Sequence, residues 1–125
     1  MASTTITCAD GFELGAYEAS PSGAARGAVV VIQEIFGVNS HIRSVVDGYA
    51  EAGFYAIAPA IFDRLERNVQ LGYTEDDMTA GIALAFQKLD MSQTLGDLQA
   101  TIDAAANHGK VGVVGYCFGG LLTWL

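Results

Sequence analysis

The sequence is poor in basic residues, cysteine, histidine and proline, and these shortages exclude several classes of protein. Its 125 residues contain 6 lysines and arginines against 14 acidic residues, for a formal net charge of −8. A nucleic-acid partner is therefore not expected, because phosphate binding requires a basic surface. Two cysteines, Cys8 and Cys117, are too few for a disulfide scaffold or a zinc motif. No apolar run approaches the ~20 residues of a membrane-spanning helix, so no membrane partner is expected either.

The N-terminus also lacks the features of a targeting segment. Residues Met1–Thr5 contain neither a basic cluster nor the start of an apolar core of the kind that signal peptides carry. Together with the low cysteine content, this favours a reducing, cytoplasmic location. We expect no cofactor and no metal, because the acidic run Glu75–Asp77 sits at a helix start, where neighbouring side chains diverge around the axis.

What the chain does contain is an alternation of apolar runs and helical periods. Its hydrophobic content of 51% is enough for a packed core and too high for a disordered chain. Ala28–Ile32 is apolar at every position, which is typical of a strand buried on both faces. Phe54–Pro59 and Val111–Val114 have the same character. Helical spacing is predicted after Asn39 or Ser40 and over residues 74–88. A further helix is predicted to end near Asn107–Gly109, with one apolar stripe formed by Leu95, Leu98, Ile102 and Ala105. Strands alternating with helices predict an α/β fold with a mostly parallel sheet.

The N-terminal segment predicts an antiparallel addition to that sheet. Residues 4–8 and 12–18 alternate as strands do, and Asp10-Gly11 between them is a strong hairpin turn signal. The first helix should be capped by Asn39 or Ser40 and should end at Gly53. Residues 62–73 are predicted to form an irregular loop. Arg64 and Arg67 in this loop either line the mouth of the pocket or are solvated charges, and the second interpretation is preferred.

The most informative motif lies between Gly115 and Gly120. Cys117 stands at the centre of a Gly-x-Cys-x-Gly pattern that follows a buried strand and precedes an apolar run. This is the cysteine version of the nucleophile elbow of α/β-hydrolases, in which flanking glycines allow a turn tight enough to expose one side chain. The N-terminus of the next helix favours the thiolate. In that fold an acid and a histidine follow the nucleophile, and the eight residues after Cys117 contain neither. We therefore predict that residues 1–125 are the N-terminal half of a single α/β-hydrolase domain.

A second motif, Gln33–Asn39, follows the first buried strand. With the Cys117 motif, it closely resembles the dienelactone hydrolases, also called carboxymethylenebutenolidases. The resemblance implies that Cys117 is the nucleophile and that Glu34 hydrogen-bonds the resting thiol and takes part in its activation. It further implies an oxyanion hole formed by the backbone N–H groups of Ile35 and Phe118. The candidate substrate contacts are Phe36, His41 and Tyr116.

The resemblance implies hydrolysis of a small ester or lactone through an acyl-thioenzyme. One departure concerns the substrate. The family's carboxylate site includes an arginine and a tyrosine on the helix at 74–88, and counting back from Asp90 places Thr79 and Ala83 near those positions. No arginine follows Arg67. We therefore expect a more neutral and more open acyl pocket than a dienelactone requires.

Three alternatives remain open at this point. The first is a promiscuous arylester or phosphotriester hydrolase that uses the same cysteine site, because attack on a phosphotriester also develops charge on a single oxygen. A second reading is a non-catalytic half-domain that forms a homodimer, or complements another chain, through the exposed edge of Val111–Val114. A third is a redox-sensing thiol at Cys117. Cys8 is interpreted as a structural core cysteine, and His108 is expected at the opposite end of the sheet.

Overall fold

The structure is a computed structural model and describes residues 2–67, 69–115 and 122–123. The strands in these residues are β1 (Ala2–Thr7), β2 (Glu13–Ala19), β3 (Ala28–Ile32), β4 (Tyr55–Pro59) and β5 (Val111–Gly115). The helices are α1 (Ser40–Glu51), α2 (Glu75–Ile82) and α3 (Met91–Ala105). A π-helical segment, Ala83–Lys88, continues α2, and a 3-10 turn, Ala106–His108, follows α3. The predicted α/β class and the order of its elements are confirmed.

The sheet has the strand order β1-β2-β4-β3-β5. β3 lies between β4 and β5 and pairs with both in parallel, whereas β1, β2 and β4 pair in antiparallel fashion. The predicted antiparallel hairpin on a parallel sheet is therefore confirmed. In the described residues β5 is the last strand of this order, and its side chains are only partly buried.

Helices cover both faces of the sheet because the residues of β3 alternate between them. Val29 and Val31 point to the face covered by α1, in a cluster with Ile42 and Val46. Val30 and Ile32 point to the other face, in the cluster that contains Leu98 of α3. All five β3 residues are buried, as the unbroken apolar run predicted.

The ends of α1 follow from local chemistry. Asn39 is the N-cap, and its side-chain oxygen accepts a hydrogen bond from the Ile42 amide at 3.2 Å. Gly53, just after the helix, has a φ of +102°, a conformation that favours glycine. The start and the end of this helix were both predicted.

The buried face of α3 matches the predicted one only in part. Leu98 and Ala105 of the expected apolar stripe are buried, whereas Leu95 is 36% exposed. The buried positions include Thr94, Asp97 and Thr101, each 1% exposed or less. Burial of these polar residues is tolerated because the two threonine hydroxyls donate to backbone carbonyls one turn earlier and Asp97 binds Arg64. The buried face of α3 therefore includes polar residues that hydrophobicity alone would place in solvent.

Candidate active site

The candidate site begins at the point where the chain leaves β3. From β3 the chain passes through α1 to β4 on one side, and it later returns through α3 to β5 on the other side. The carboxyl ends of β3 and β5 therefore mark a topological switch point, where open parallel sheets form ligand-binding crevices. Ile32 pairs with Gly115 at the end of this ladder. Glu34 follows Ile32 by two residues, and Cys117 follows Gly115 by two residues.

The loop that leaves β3 consists of residues 33–39 and is hereafter the β3 loop. Glu34 and Ile35 are partly buried, and Phe36 is 8% exposed. The buried Gln33 side chain donates from Nε2 to the Glu34 carbonyl oxygen at 3.0 Å. The Gly37 amide donates to the same oxygen at 3.4 Å. The loop is thus a compact turn, held from within at the Glu34 carbonyl.

A second segment, residues 69–73, lies against the β3 loop and is hereafter the strap. The Leu71 amide donates to the Phe36 carbonyl at 2.8 Å, and Asn39 Nδ2 donates to the Leu71 carbonyl at 2.9 Å. Gly37 also forms an isolated antiparallel bridge with Gln70. These bonds join residues about 30 positions apart in the chain, so the strap is a tertiary support for the β3 loop rather than a local turn.

Two glycines permit this close packing. Gly37 has a φ of +81°, and a Cβ there would overlap the Val69 carbonyl oxygen of the strap. Gly81 of α2 lies directly against Ile35, and a Cβ there would overlap the Ile35 carbonyl oxygen. The β3 loop is therefore enclosed by the strap on one side and by α2 on another, with no space for larger side chains at these two contacts.

The sequence analysis did not identify Tyr73, which the structure brings to this site. The Tyr73 ring packs edge-on against Phe36, with ring centroids 4.6 Å apart. Its hydroxyl lies 3.3 Å from Glu34 Oε1 and 3.4 Å from Asn39 Nδ2. A tyrosine within an irregular loop carries no sequence signal for such a role, because the contact spans 39 positions of the chain.

Of the remaining predicted site residues, only His41 lies within the part of the chain that the structure describes. His41 is exposed in the first turn of α1, and its role as a substrate contact stays a prediction. Cys117, Phe118 and Tyr116 lie outside the described residues. His108 stacks on Tyr55 at 3.7 Å, at the amino end of β4, and thus lies at the end of the sheet opposite the site, as expected.

Arg64 is not the solvated loop charge that we expected. It binds Asp97 through Nε and Nη2 at 2.8 and 2.9 Å, and Asp10 through Nη1 and Nη2 at 2.8 and 3.0 Å. Its guanidinium also lies 4.5 Å from the centre of the Phe12 ring. These contacts join the loop after β4 to the β1–β2 hairpin and to α3. Arg67 fits the expectation better, since its side chain is 53% exposed in the contact with Asp63.

Cys8 is a core residue, as predicted, with 5% exposure. Burial, followed by the nearby Asp97 carboxylate, raises the pKa of the Cys8 thiol to about 11. The thiol is therefore protonated and unreactive at neutral pH. Within the described ranges, no three His, Cys, Asp or Glu side chains are grouped as a metal site would require, and no helix has the length and apolarity needed to span a membrane.

Comparison with known proteins identifies the family. The sequence model of the dienelactone hydrolase family matches residues 14–125. The chain belongs to the dienelactone hydrolase family. The carboxymethylenebutenolidase of Pseudomonas putida is 35% identical over 125 residues, which cover 97% of this chain and 53% of that protein. A candidate carboxymethylenebutenolidase of Synechocystis is 45% identical over 102 residues, which cover 78% of this chain and 41% of that protein.

Solved structures agree with this assignment. A candidate dienelactone hydrolase of Klebsiella pneumoniae has a TM-score of 0.78 and 30% identity, over 98% of this chain and 52% of that one. A dienelactone hydrolase-like promiscuous phosphotriesterase, P91, from metagenomic libraries has a TM-score of 0.66 at 22% identity, over 98% and 53% of the two chains. The second likeness shows the fold alone. The chain spans about half the length of the dienelactone hydrolase relatives that it matches. Over that part, the α/β-hydrolase fold is confirmed.

Proposed function

We propose that the chain contributes the nucleophile and the oxyanion hole of an ester or lactone hydrolase, as the N-terminal half of one α/β-hydrolase domain. The observation that carries this proposal is the parallel pairing of Ile32 with Gly115 at the switch point of the sheet. Glu34 and Cys117 each follow that pair by two residues. Adjacent parallel strands lie ~5 Å apart, so segments leaving them at the same level start side by side. Family membership supports the same assignment.

The proposed reaction proceeds through two acyl transfers. The Cys117 thiolate attacks the substrate carbonyl carbon, the C=O π electrons move to the oxygen, and the amides of Ile35 and Phe118 donate to that oxyanion. Collapse expels the alkoxide, which takes up a proton, and leaves an acyl-thioenzyme. Water then adds to the thioester and releases the acid and the thiol. Each oxyanion donor should contribute about 3 kcal/mol to the transition state. The histidine and aspartate of the family triad would come from outside these 125 residues or from another chain.

Variants of the two cysteines test the nucleophile. The assay uses the complete gene product, including any sequence that flanks these residues, with p-nitrophenyl butyrate as substrate. Cys117→Ala should lower kcat by about 1,000-fold or more, and a rapidly quenched reaction should show an acyl adduct on the peptide that contains Cys117. Cys8→Ala is the matched control and should keep its kcat, because Cys8 is a buried core thiol. Full activity in Cys117→Ala would refute the proposal.

A neutral substrate is proposed because the helix that faces Ile35 offers an anion little support. The Thr79 hydroxyl donates to the Glu75 carbonyl at 3.1 Å, and the first turn of α2 contains three acids, Glu75, Asp76 and Asp77. Along α2 and the π-helical segment that continues it, Met78, Ile82 and Phe86 recur every four residues with exposures of 46%, 40% and 62%. An apolar acyl group fits this surface better than a carboxylate does.

Restoring a cation at position 79 tests the substrate preference. Thr79→Arg should raise kcat/KM for a carboxylate-bearing lactone about tenfold or more relative to a neutral ester, as expected of a hydrogen bond to a charged group. Ala80→Arg is the matched control, because it adds the same charge at a neighbouring exposed position that points elsewhere on the helix. A wild-type protein that already prefers the anionic lactone would contradict the neutral pocket.

Phosphotriester hydrolysis is a second candidate function, favoured by the exposed apolar side chains of α2 and of the π-helical segment after it. The same oxyanion donors would serve, since the phosphoryl oxygen also gains charge when the thiolate attacks. Paraoxon turnover that disappears in Cys117→Ala would support this activity. Paraoxon turnover that survives in that variant would assign the activity to another site.

Association of two chains through β5 stays a prediction. Size-exclusion chromatography of the complete protein over a range of concentrations tests it.

A further inference from the structure

Tyr73 has an unusual environment for an exposed residue. Tyr73 is 58% exposed, yet its side chain contacts three residues of the β3 loop. The ring packs against Phe36, and the hydroxyl lies between Asn39 Nδ2 and Glu34 Oε1. An exposed aromatic side chain that is held at both its ring and its hydroxyl has a defined orientation.

The direction of these hydrogen bonds follows from Asn39. Its Oδ1 accepts from the Ile42 amide at 3.2 Å, and its Nδ2 donates to the Leu71 carbonyl at 2.9 Å. Both contacts fix the amide orientation, because a flipped amide would place two donors, or two acceptors, against each other. The Asn39 amide therefore donates its second N–H to the Tyr73 oxygen at 3.4 Å. The Tyr73 hydroxyl proton is then free to be donated to the Glu34 carboxylate at 3.3 Å.

We infer that Tyr73 is a positioning residue, which holds the Glu34 carboxylate through the chain Asn39 to Tyr73 to Glu34. One carboxylate oxygen, Oε1, accepts from Tyr73; the proposal assigns the other, Oε2, to the thiol of Cys117. This inference rests on the proposed function, because it requires Glu34 to act on that thiol. The strap then does more than support the β3 loop. It also brings the positioning residue Tyr73 to Glu34, 39 positions away in the chain.

A double-mutant cycle on Tyr73 and Glu34 tests the inference. Tyr73→Phe keeps the ring against Phe36 and removes the hydroxyl alone. It should lower kcat about 3- to 10-fold with little change in KM, as expected for a hydrogen bond to a charged group that is partly open to solvent. In a Glu34→Gln background, Tyr73→Phe should lower kcat by less than about twofold, because the residue through which Tyr73 acts is already altered. Tyr49→Phe, which removes a hydroxyl from α1, should leave kcat unchanged.

A second readout separates positioning from a general loss of structure. The rate of Cys117 alkylation by iodoacetamide, measured across pH by peptide mass spectrometry, should change in Tyr73→Phe and in Glu34→Gln. Cys8 in the same sample serves as an internal reference for folding, because it reacts only when the core opens. Increased Cys8 alkylation would identify unfolding as the cause and would overturn the inference.

The outcomes distinguish failure of the inference from failure of the proposed function. If Tyr73→Phe has no effect, or costs the same in both backgrounds, then Tyr73 does not act through Glu34 and the inference is wrong. If Glu34→Gln is neutral while Cys117→Ala is inactive, the hydrolase proposal stands and the inference again fails. If Cys117→Ala keeps full activity, the proposed function fails first, whatever Tyr73 does.

Discussion

The contact between Arg64 and Asp97 provides the sharpest test of what holds this fold together. Asp97→Asn keeps the shape of the side chain and removes its charge. The Asp97 side chain is 2% exposed and the Arg64 side chain is 13% exposed, so water has little access to either group. In the variant, the amide NH₂ of asparagine would face an N–H group of Arg64, which sets a donor against a donor. The guanidinium then keeps its contacts with the exposed Asp10 carboxylate but loses its buried counter-charge.

The expected cost follows from this burial. Removing one partner of a buried ion pair typically costs about 3–5 kcal/mol. With a urea m-value of about 2 kcal/mol/M for a domain of modest size, the unfolding midpoint should fall by roughly 1.5–2.5 M. Equilibrium urea unfolding followed by circular dichroism measures the change directly. The double variant Arg64→Met, Asp97→Leu should recover much of the loss, because two apolar side chains leave no charge uncompensated.

Asp10→Asn is the matched control. Arg64 also makes two hydrogen bonds to Asp10, through Nη1 and Nη2. The Asp10 side chain is 55% exposed, so water replaces the lost contact. Its unfolding midpoint at pH 7 should therefore move far less than that of Asp97→Asn. Equal shifts in the two variants would refute the reasoning that burial, rather than the contact itself, determines the cost.

Two further predictions concern other parts of the structure. Gly81→Ala would place a methyl group against the Ile35 carbonyl oxygen; it should lower kcat about 10- to 100-fold if Ile35 is an oxyanion donor, and destabilise the fold by about 1–3 kcal/mol. Burial, and next the Glu18 carboxylate, raise the pKa of the Tyr55 hydroxyl above its usual 10.0. The protonated hydroxyl therefore contributes stability that is fully present below the unfolded-state pKa of about 10 and is lost as pH rises toward the raised value. The free energy of unfolding of Tyr55→Phe should accordingly fall less between pH 8 and pH 11 than that of the wild type.

Controls exist for both predictions. Gly48→Ala changes a helical glycine of α1 with open space around it, so it should be neutral or slightly stabilising and should keep full kcat. A similar loss of kcat in Gly48→Ala and Gly81→Ala would contradict the role given to the Ile35 contact. For Tyr55, the measurement is the denaturant midpoint of unfolding at pH 8 and at pH 11. If Tyr55→Phe loses as much stability over this range as the wild type, the Tyr55 hydroxyl is excluded as a cause of the loss.

Much of the local structure was predictable from the sequence because it depends on neighbouring residues. The unbroken apolar run of β3 predicted burial on both faces, and Asn39 and Gly53 predicted the ends of α1. The antiparallel hairpin followed from the Asp10-Gly11 turn signal. Each of these features is decided within a few residues, by side-chain periodicity or by backbone conformation.

The buried polar contacts were not predictable in the same way. Arg64 and Asp97 lie 33 positions apart, and nothing in either neighbourhood indicates that they form a pair. The burial of polar residues on α3 depends on that pair and on two threonine hydroxyls that donate to backbone carbonyls one turn earlier. Hydrophobicity alone favoured Leu95 over Asp97 as a buried residue, and an ion pair with good geometry reversed that preference.

By itself, the sequence determined the α/β class, the strands and helices in their order, and the two motifs from which Glu34 and Cys117 are proposed as site residues. Only the tertiary structure decided that β3 lies between β4 and β5, that Ile32 pairs with Gly115, and that the strap brings Tyr73 to Glu34. The physical reason is the range of the interactions. Secondary structure and tight turns depend on residues a few positions apart, whereas strand order and register depend on contacts that form only when distant segments pack against each other.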